Sequence, residues 1–434
     1  MPSLGLCRWW SYHRLLFLLS PRFFSLIISF YAKSQEIKSF VVTLLKELSV
    51  ETFCILIAAL STVLWVGFAL LPWGLWRNRE VLEAAPATAD APLAQITAVI
   101  PARNEAALIQ QTIPRVAAQG TDLKIILIDD GSDDGTAAVA RQLAYSNLRI
   151  IESAPLRDGW SGKLWALEQA WRQVTTRYTL FLDADMKLAP GSIRALENQM
   201  QQQSTAFISL TAAPSMASGW EKLLMPAFIY FFKALYPFHR VNSSDSKMAA
   251  AAGGCILVET RVLAQIGGFE SIKSAVIDDC AFAQRVKLHG FKIWLGLTHS
   301  VESIRGYKKL REIGDMVARS AFAQLYYSLG LLILCTFVLL LLYVLPAFMV
   351  ASSNGVIRYL SLASLGTMLL TYLPTLRFYR RSWAWALCLP LIAGFFLTMT
   401  WTSALRYWRG ERTRWKGRVY RRSVGVTLAD RQSR

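Results

Sequence analysis

Residues 52–76, TFCILIAALSTVLWVGFALLPWGLW, contain no charged side chain, and neither do residues 329–351, LGLLILCTFVLLLLYVLPAFMVA. A bilayer core offers the backbone no water to bond to. A chain that crosses it does so as a helix of roughly 20 apolar residues. These two runs therefore place membrane segments on either side of whatever lies between them. Two further runs follow. The one at 359–376 is weaker, because Arg358 precedes it and Ser361, Ser364 and Thr367 interrupt it; the one at 383–405 is good. The first run is too long, and too far from Met1, for a cleaved signal peptide. Trp73 and Trp76, then Arg77 and Arg79, read as an interfacial anchor with a basic cytoplasmic flank. Before residue 50 the stretch LLFLLSPRFFSLIISFY is apolar but broken by Pro21 and Arg22. It reads as a poor span, an interfacial helix, or sequence translated upstream of the true start.

The chain carries a formal net charge of +18 and is 54% hydrophobic. A basic excess fits an anionic membrane surface and anionic substrates. The basic residues cluster beside the apolar runs and in the tail from Arg406, which favours a membrane over nucleic acid as the partner. The 6 cysteines, Cys7, Cys54, Cys255, Cys280, Cys335 and Cys388, are scattered without paired short spacing. That excludes a zinc pattern or a disulfide framework.

From about Pro86 to Gln324 the chain reads as globular. The β-rich runs ITAVIPA, KIILIDD, RIIES, YTLFLDAD and AFISLTA alternate with helical stretches such as DDGTAAVARQLAYS and SGKLWALEQAWRQV. Such alternation predicts an α/β fold with a parallel, doubly wound sheet. In these sheets a ligand sits beyond the carboxyl ends of the strands. Asp129, Asp130, Asp183 and Asp185 all fall at such ends. In an extended chain, residues two apart share a face, so Asp183 and Asp185 would point at one spot. Adjacent carboxylates repel unless a positive group lies between them, and a divalent cation with oxygen ligands suits that place. A solvated Asp-x-Asp turn is the alternative. Pro190 is expected in the first turn of the next helix.

Four more stretches carry candidate chemistry. VIPARNEAALI sets Arg103, Asn104 and Glu105 after a strand ending at Pro101. SGKLWAL opens a helix with Gly162 and Lys163, but its neighbours do not fit a P-loop. No G-x-G-x-x-G follows the first strand either, which argues against a dinucleotide cofactor. VIDDCAF supplies Asp278 and Asp279 at a helix start, and GGC supplies Gly253 and Gly254. Taken singly, these are ordinary caps and turns.

Taken in order, PARNE, IDDGSDDGT, SGKLWAL, FLDAD, GGCILVETRVLAQIGGF and IDDCAFAQRVKLHG resemble the family 2 glycosyltransferases over residues 97–323. These are inverting enzymes of the GT-A fold that use nucleotide-diphosphate sugars. With the flanking spans, TYLPTLRFY and WKGRVY, the nearest resemblance is to bacterial hopanoid-associated membrane glycosyltransferases. The resemblance implies a Rossmann-like GT-A domain with a mostly parallel sheet, flanked by transmembrane helices. It implies that Pro101, Arg103, Glu105 and Asp130 line the nucleotide pocket, with Lys163, Asp183 and Arg319 also on the donor side. Asp185, with Asp183, would hold Mg²⁺ or Mn²⁺. Asp279 would be the catalytic base, with Asp278 the next candidate, and Gly253 and Gly254 would lie on the acceptor side. MVARSAFAQL stands where processive members carry Gln-x-x-Arg-Trp; only Arg319 corresponds, which argues against a polymer-extruding synthase. A downstream His ligand, His289 or His299, is weighed below a capping or surface role.

The expectation is a membrane-bound inverting hexosyltransferase that moves a sugar to a hydroxyl of a lipid or lipid-linked acceptor. It would sit in the bacterial inner membrane with its donor site facing the cytoplasm. The rivals are a processive polysaccharide synthase and a catalytically silent GT-A scaffold that binds lipid or a partner protein. The expected division is an extension and anchor at 1–76, a GT-A domain at 77–328, membrane segments at 329–405 (329–351, 359–376 and 383–405), and a basic tail at 406–434. The apolar stretch MPAFIYFFKALYPF reads either as an interfacial helix presenting lipid or as a buried core helix. The positive-inside rule wants the tail and Arg377, Arg380 and Arg381 all inside, which conflicts with a single crossing by 383–405. A cytoplasmic tail is expected, with 383–405 re-entering at Pro390.

Overall fold

The computed structural model describes residues 49–71, 74, 76–84, 92–415 and 418–421. The expectations for residues 1–48, Trp73, Pro86 and the tail at 416–417 and 422–434 lie outside them.

Eight strands form one sheet: β1 (Ile96–Ala102), β2 (Lys124–Asp129), β3 (Leu148–Glu152), β4 (Tyr178–Leu182), β5 (Met186–Leu188), β6 (Phe207–Ala213), β7 (Cys255–Glu259) and β8 (Ile293–Ser303). Their order is β3-β2-β1-β4-β7-β6-β8-β5. β3, β2, β1 and β4 pair in parallel, as do β6 and β8, as the alternating sequence predicted. β7 is antiparallel to both β4 and β6, and β5 to β8. A parallel neighbour needs a long crossover, and only Asp183, Ala184 and Asp185 separate β4 from β5.

The pleat sorts side chains onto two cores. Ile96, Ala98, Ile100, Ile125 and Leu127 pack under the Ala106–Ala117 and Ser192–Gln203 helices. Val99, Ile126, Ile128 and Phe181 face the Gly162–Trp171, Thr260–Ile266 and Asp278–Leu288 helices. Burial on both faces explains why these strands read as nearly continuous apolar runs. Pro190 is not in a helix's first turn: the helix starts at Ser192, and Gly191 is its N-cap at φ 81°, a backbone conformation that suits glycine.

Among the described residues, four helices are long and apolar enough to cross a membrane: Val50–Leu70, Leu329–Met349, Gly355–Phe378 and Trp383–Trp408. The first ends six residues short of the expected 76, and the third runs past both ends of 359–376. Val50–Leu70 and Gly355–Phe378 lie side by side in the same direction. Glu51 bonds Asn354 at one end, and the Thr62 hydroxyl lies 2.9 Å from the Leu360 carbonyl further along. Pro346 interrupts the second span. Its missing N–H leaves the Leu342 carbonyl without its regular helical partner, and the Trp65 indole N–H donates to that oxygen at 2.8 Å. A π-helical turn covers Leu340–Val344 at this point.

The Gly219–Leu235 helix, capped by Ser218 and Glu221, joins the sheet domain to these helices. Its Leu224, Ala227 and Tyr230 belong to the core of the apolar bundle, and its Ile229 to a core of the sheet. The Tyr230 and Tyr372 rings are 5.1 Å apart, and those of Phe231 and Phe396 are 5.2 Å apart. Half of residues 225–238 are buried between two layers and Leu235 is exposed, a pattern closer to the core-helix alternative.

The last apolar segment does not turn back at Pro390 as expected, because the helix Leu389–Trp408 runs unbroken over 20 residues. A short 3₁₀ turn, Trp383–Cys388, precedes the Leu389–Trp408 helix, and Pro390 sits in that helix's first turn, where its lack of an N–H costs little. The chain touches the sheet domain just before this segment and near its end. His299 Nε2 lies 2.7 Å from the carbonyl of Phe378, the last residue of the preceding helix, and Arg406 pairs with Asp315 near the segment's end.

Candidate active site

The site is built at the carboxyl ends of β1, β2 and β4. The premise that Asp183 and Asp185 share the face of an extended strand needs correction. β4 stops at Leu182, and Asp183–Ala184–Asp185 form a turn closed by the Met186 N–H on the Asp183 carbonyl at 3.0 Å. The turn still brings both side chains to one cavity. The Asp183 N–H is fixed on the Gly254 carbonyl, and Asp185 Oδ2 accepts from the Ser303 hydroxyl at 2.6 Å.

Each carboxylate faces a cation. Lys163 Nζ lies 2.7 Å from Asp183 and 4.0 Å from Asp278. Burial works against the charge on Lys163, but Asp183 and Asp278 outweigh it and raise its pKa. Arg305, just beyond β8, reaches Glu105 at 2.5 Å and lies 3.6 Å from Asp185. Arg103 donates to the Gly131 carbonyl at 3.1 Å and lies 4.0 Å from the Asp130 carboxylate.

Asp279 opens the Asp278–Leu288 helix. Its Oδ2 accepts from the Gly253 N–H at 2.9 Å, and its Oδ1 from the Cys280 N–H at 2.7 Å. Burial first, and then the neighbouring Asp278, push its carboxyl up, against the opposing pull of these backbone bonds and Lys163. The result is a fixed carboxylate with an affinity for protons above the ordinary range.

One cavity of about 660 Å³ connects these groups, a size usual for a small-molecule site. Pro101, Arg103, Glu105, Lys163, Asp183, Asp185, Gly253, Gly254, Asp278, Asp279 and Arg319 all line it, so eleven of the twelve residues expected from the sequence meet in one place. The exception is Asp130, which is 3% exposed and lies outside the lining. At its far end the cavity is walled by Met225, Phe228, Ile229 and Phe232 of the linking helix, and by Ser403 and Arg406 of the last apolar helix. Neither His289 nor His299 lines it; His299 stacks on Phe378 at 4.0 Å between ring centroids.

Sequence reasoning missed Ser303, Arg305 and Arg418. Arg418 donates to Asp130 at 2.6 Å. Arg305 follows an ordinary strand end, and Arg418 lies in WKGRVY, a stretch that carries the resemblance but whose local sequence assigns it no role. Their roles depend on long-range pairing that no local spacing encodes.

A hard cation commonly takes one or two carboxylates and completes its shell from substrate phosphates and water. Asp183 and Asp185 supply that donor set. Among the described residues no cluster of three or more His, Cys, Asp or Glu could hold an ion unaided. Two carboxylates on one cavity suit the protein's share of such a site.

Residues 97–267 match the family model described as Glycosyl transferase family 2. A 4,4'-diaponeurosporenoate glycosyltransferase of Staphylococcus aureus (strain MRSA252) is 36% identical over 110 residues, which is 25% of this chain and 28% of the relative. The same enzyme from strain USA300 is 34% identical over an equal length. The aligned region thus spans little more than a quarter of these curated relatives. Among solved structures, the mannosyltransferase PcManGT of Pyrobaculum calidifontis, determined with GDP-Man and Mn²⁺, covers 81% of this chain and 99% of its own at 17% identity and a TM-score of 0.47. S. aureus TarS covers 72% of this chain and 55% of its own at 14% identity and a TM-score of 0.37. With its mixed sheet and strand-end carboxylates the sheet domain has a fold of the GT-A kind, and its residues 97–267 are similar to the family 2 glycosyltransferases.

Proposed function

We propose that the protein is a membrane-bound inverting glycosyltransferase that moves one sugar from a nucleotide-diphosphate donor to a hydroxyl of a lipid acceptor. The observation that carries this reading is the continuity of the cavity. It runs from the carboxylates of Asp183, Asp185, Asp278 and Asp279 to the apolar wall of Met225, Phe228 and Phe232. A polar donor fits one end and an apolar acceptor body the other.

In this reading Asp279 takes the proton from the acceptor hydroxyl as its oxygen attacks the anomeric carbon, and the nucleoside diphosphate departs from the opposite face. The Gly253 N–H and the Cys280 N–H hold the base in place. Lys163, Arg305 and Arg319 surround the space where the leaving diphosphate gathers charge, and fixed cations there stabilise that charge. Arg103 and Glu105 contact the nucleotide. A divalent cation bound by Asp183 and Asp185 would supply further charge neutralisation on the diphosphate. The relatives named for glycosylating diaponeurosporenoate support a lipid acceptor as a class. The resemblance of the flanks to hopanoid-associated enzymes fits the same class.

The contacts of Phe378, at the end of the preceding helix, with His299 and of Arg406 with Asp315 support a tail on the same side as the site, with the unbroken helix between them starting and ending on that side. A cytoplasmic donor supply then sets that side as the cytoplasm. The reading is tested by mass spectrometry of lipids from cells with and without the gene. The expected result is a lipid lost with the gene and a precursor lighter by one sugar; an unchanged lipid profile would contradict it.

A further inference from the structure

We propose that the antiparallel pair of strands Glu411–Trp415 and Arg418–Arg421 is a strap that competes with the nucleotide for Asp130. The inference rests on the reading of Asp130 as part of the donor site. After the last apolar helix ends at Trp408, Gly410 turns the chain at φ 90°, and β9 (Glu411–Trp415) and β10 (Arg418–Arg421) pair antiparallel. This strand pair lies against the sheet domain. Arg412 donates to the Ser274 carbonyl at 2.8 Å, Glu411 and Arg412 line the cavity, and Arg418 Nη1 donates to Asp130 Oδ2 at 2.6 Å.

The Asp130 side chain is only 4% exposed. Burial raises its pKa, and Arg418 leads the groups that oppose this and favour the carboxylate. A guanidinium is a rigid planar set of N–H donors. The hydrogen-bonding edge of a nucleobase is also planar and also offers N–H. Arg418 occupies Oδ2 of a side chain with almost no exposed surface, so a base edge that is to reach that oxygen has to displace the guanidinium. With Arg418 seated, Asp130 is shut out of the cavity that Arg103 and Glu105 line. A nucleotide reaches Asp130 when Arg418 leaves, so donor binding and strap release are one equilibrium. Binding is weakened by the fraction of molecules with the strap closed.

The test uses the full chain purified in detergent, with UDP and GDP as separate probes in titration calorimetry. Arg418→Ala is expected to bind the preferred nucleotide about tenfold more tightly than the wild type, the factor for a strap closed about nine-tenths of the time. Arg418→Lys should fall between them. In the wild type, that nucleotide should speed tryptic cleavage within residues 409–422. If Arg418→Ala binds equally or more weakly, or if the nucleotide protects the tail, the competition is wrong and Arg418 supports donor binding or the fold. If neither nucleotide binds wild type or variant, the donor-site reading itself fails and the strap fails with it.

Discussion

Lys163 stands 2.7 Å from Asp183 and 4.0 Å from Asp278, so a single ammonium joins the end of β4 to the start of the Asp278–Leu288 helix. Its removal leaves carboxylates facing one another with no cation between them. Lys163→Met should lower transfer by about 10²–10³-fold, the scale for losing one fixed charge-stabilising donor. Steady-state transfer kinetics with a circular dichroism control checks this; unchanged kcat/KM would remove Lys163 from the donor site.

The pH profile follows from Asp279. Burial, then Asp278, raises its pKa to about 6. A general base works when ionised, so kcat/KM should rise with pH and level off above about 6. Asp278→Asn removes the like charge and should move the acid limb to lower pH. Lys163→Met removes an opposing charge and should move it to higher pH. A limb that shifts the other way in either variant would contradict the assignment.

Asp185 is held by Ser303 at 2.6 Å and faces Arg305 at 3.6 Å. Asp185→Ala should abolish metal-stimulated transfer while leaving the thermal transition nearly unchanged. Titrating Mg²⁺ and Mn²⁺ into chelator-treated wild type and variant reads the effect. Equal activity of the two in the chelated state and with metal would exclude Asp185 as a ligand.

The side of the tail is accessible to labelling. In a cysteine-free background, Ser353→Cys, in the turn before the Gly355–Phe378 helix, should react with an impermeant thiol reagent on intact cells. Arg409→Cys should react only after permeabilisation. Labelling of both from outside would mean that 383–405 crosses fully.

Much of this arrangement was legible in the sequence because it is local. β1, β2 and β4 each announce themselves as apolar runs that end on polar residues, and the acidic start of the Asp278–Leu288 helix follows the ordinary preference for negative side chains at a helix N-terminus. What could not be read there is long-range. β7 runs antiparallel between β4 and β6 because of where the chain returns, and nothing in Cys255–Glu259 encodes its direction. The Arg305–Glu105 pair spans two distant strand ends, and Arg418 crosses back from beyond the last helix. The Asp183–Asp185 pair was found for a partly mistaken reason: a turn, and not an extended strand, gathers it.

The most direct test of the central claim is transfer of radiolabelled sugar from a nucleotide-diphosphate donor into organic-extractable lipid by reconstituted protein, comparing wild type with Asp279→Asn. The amide keeps the shape of the side chain but cannot take the acceptor's proton. The account predicts labelled lipid with the wild type and about 10²–10⁴-fold slower labelling with the variant, with donor binding nearly unchanged. Equal labelling by the two proteins would contradict it.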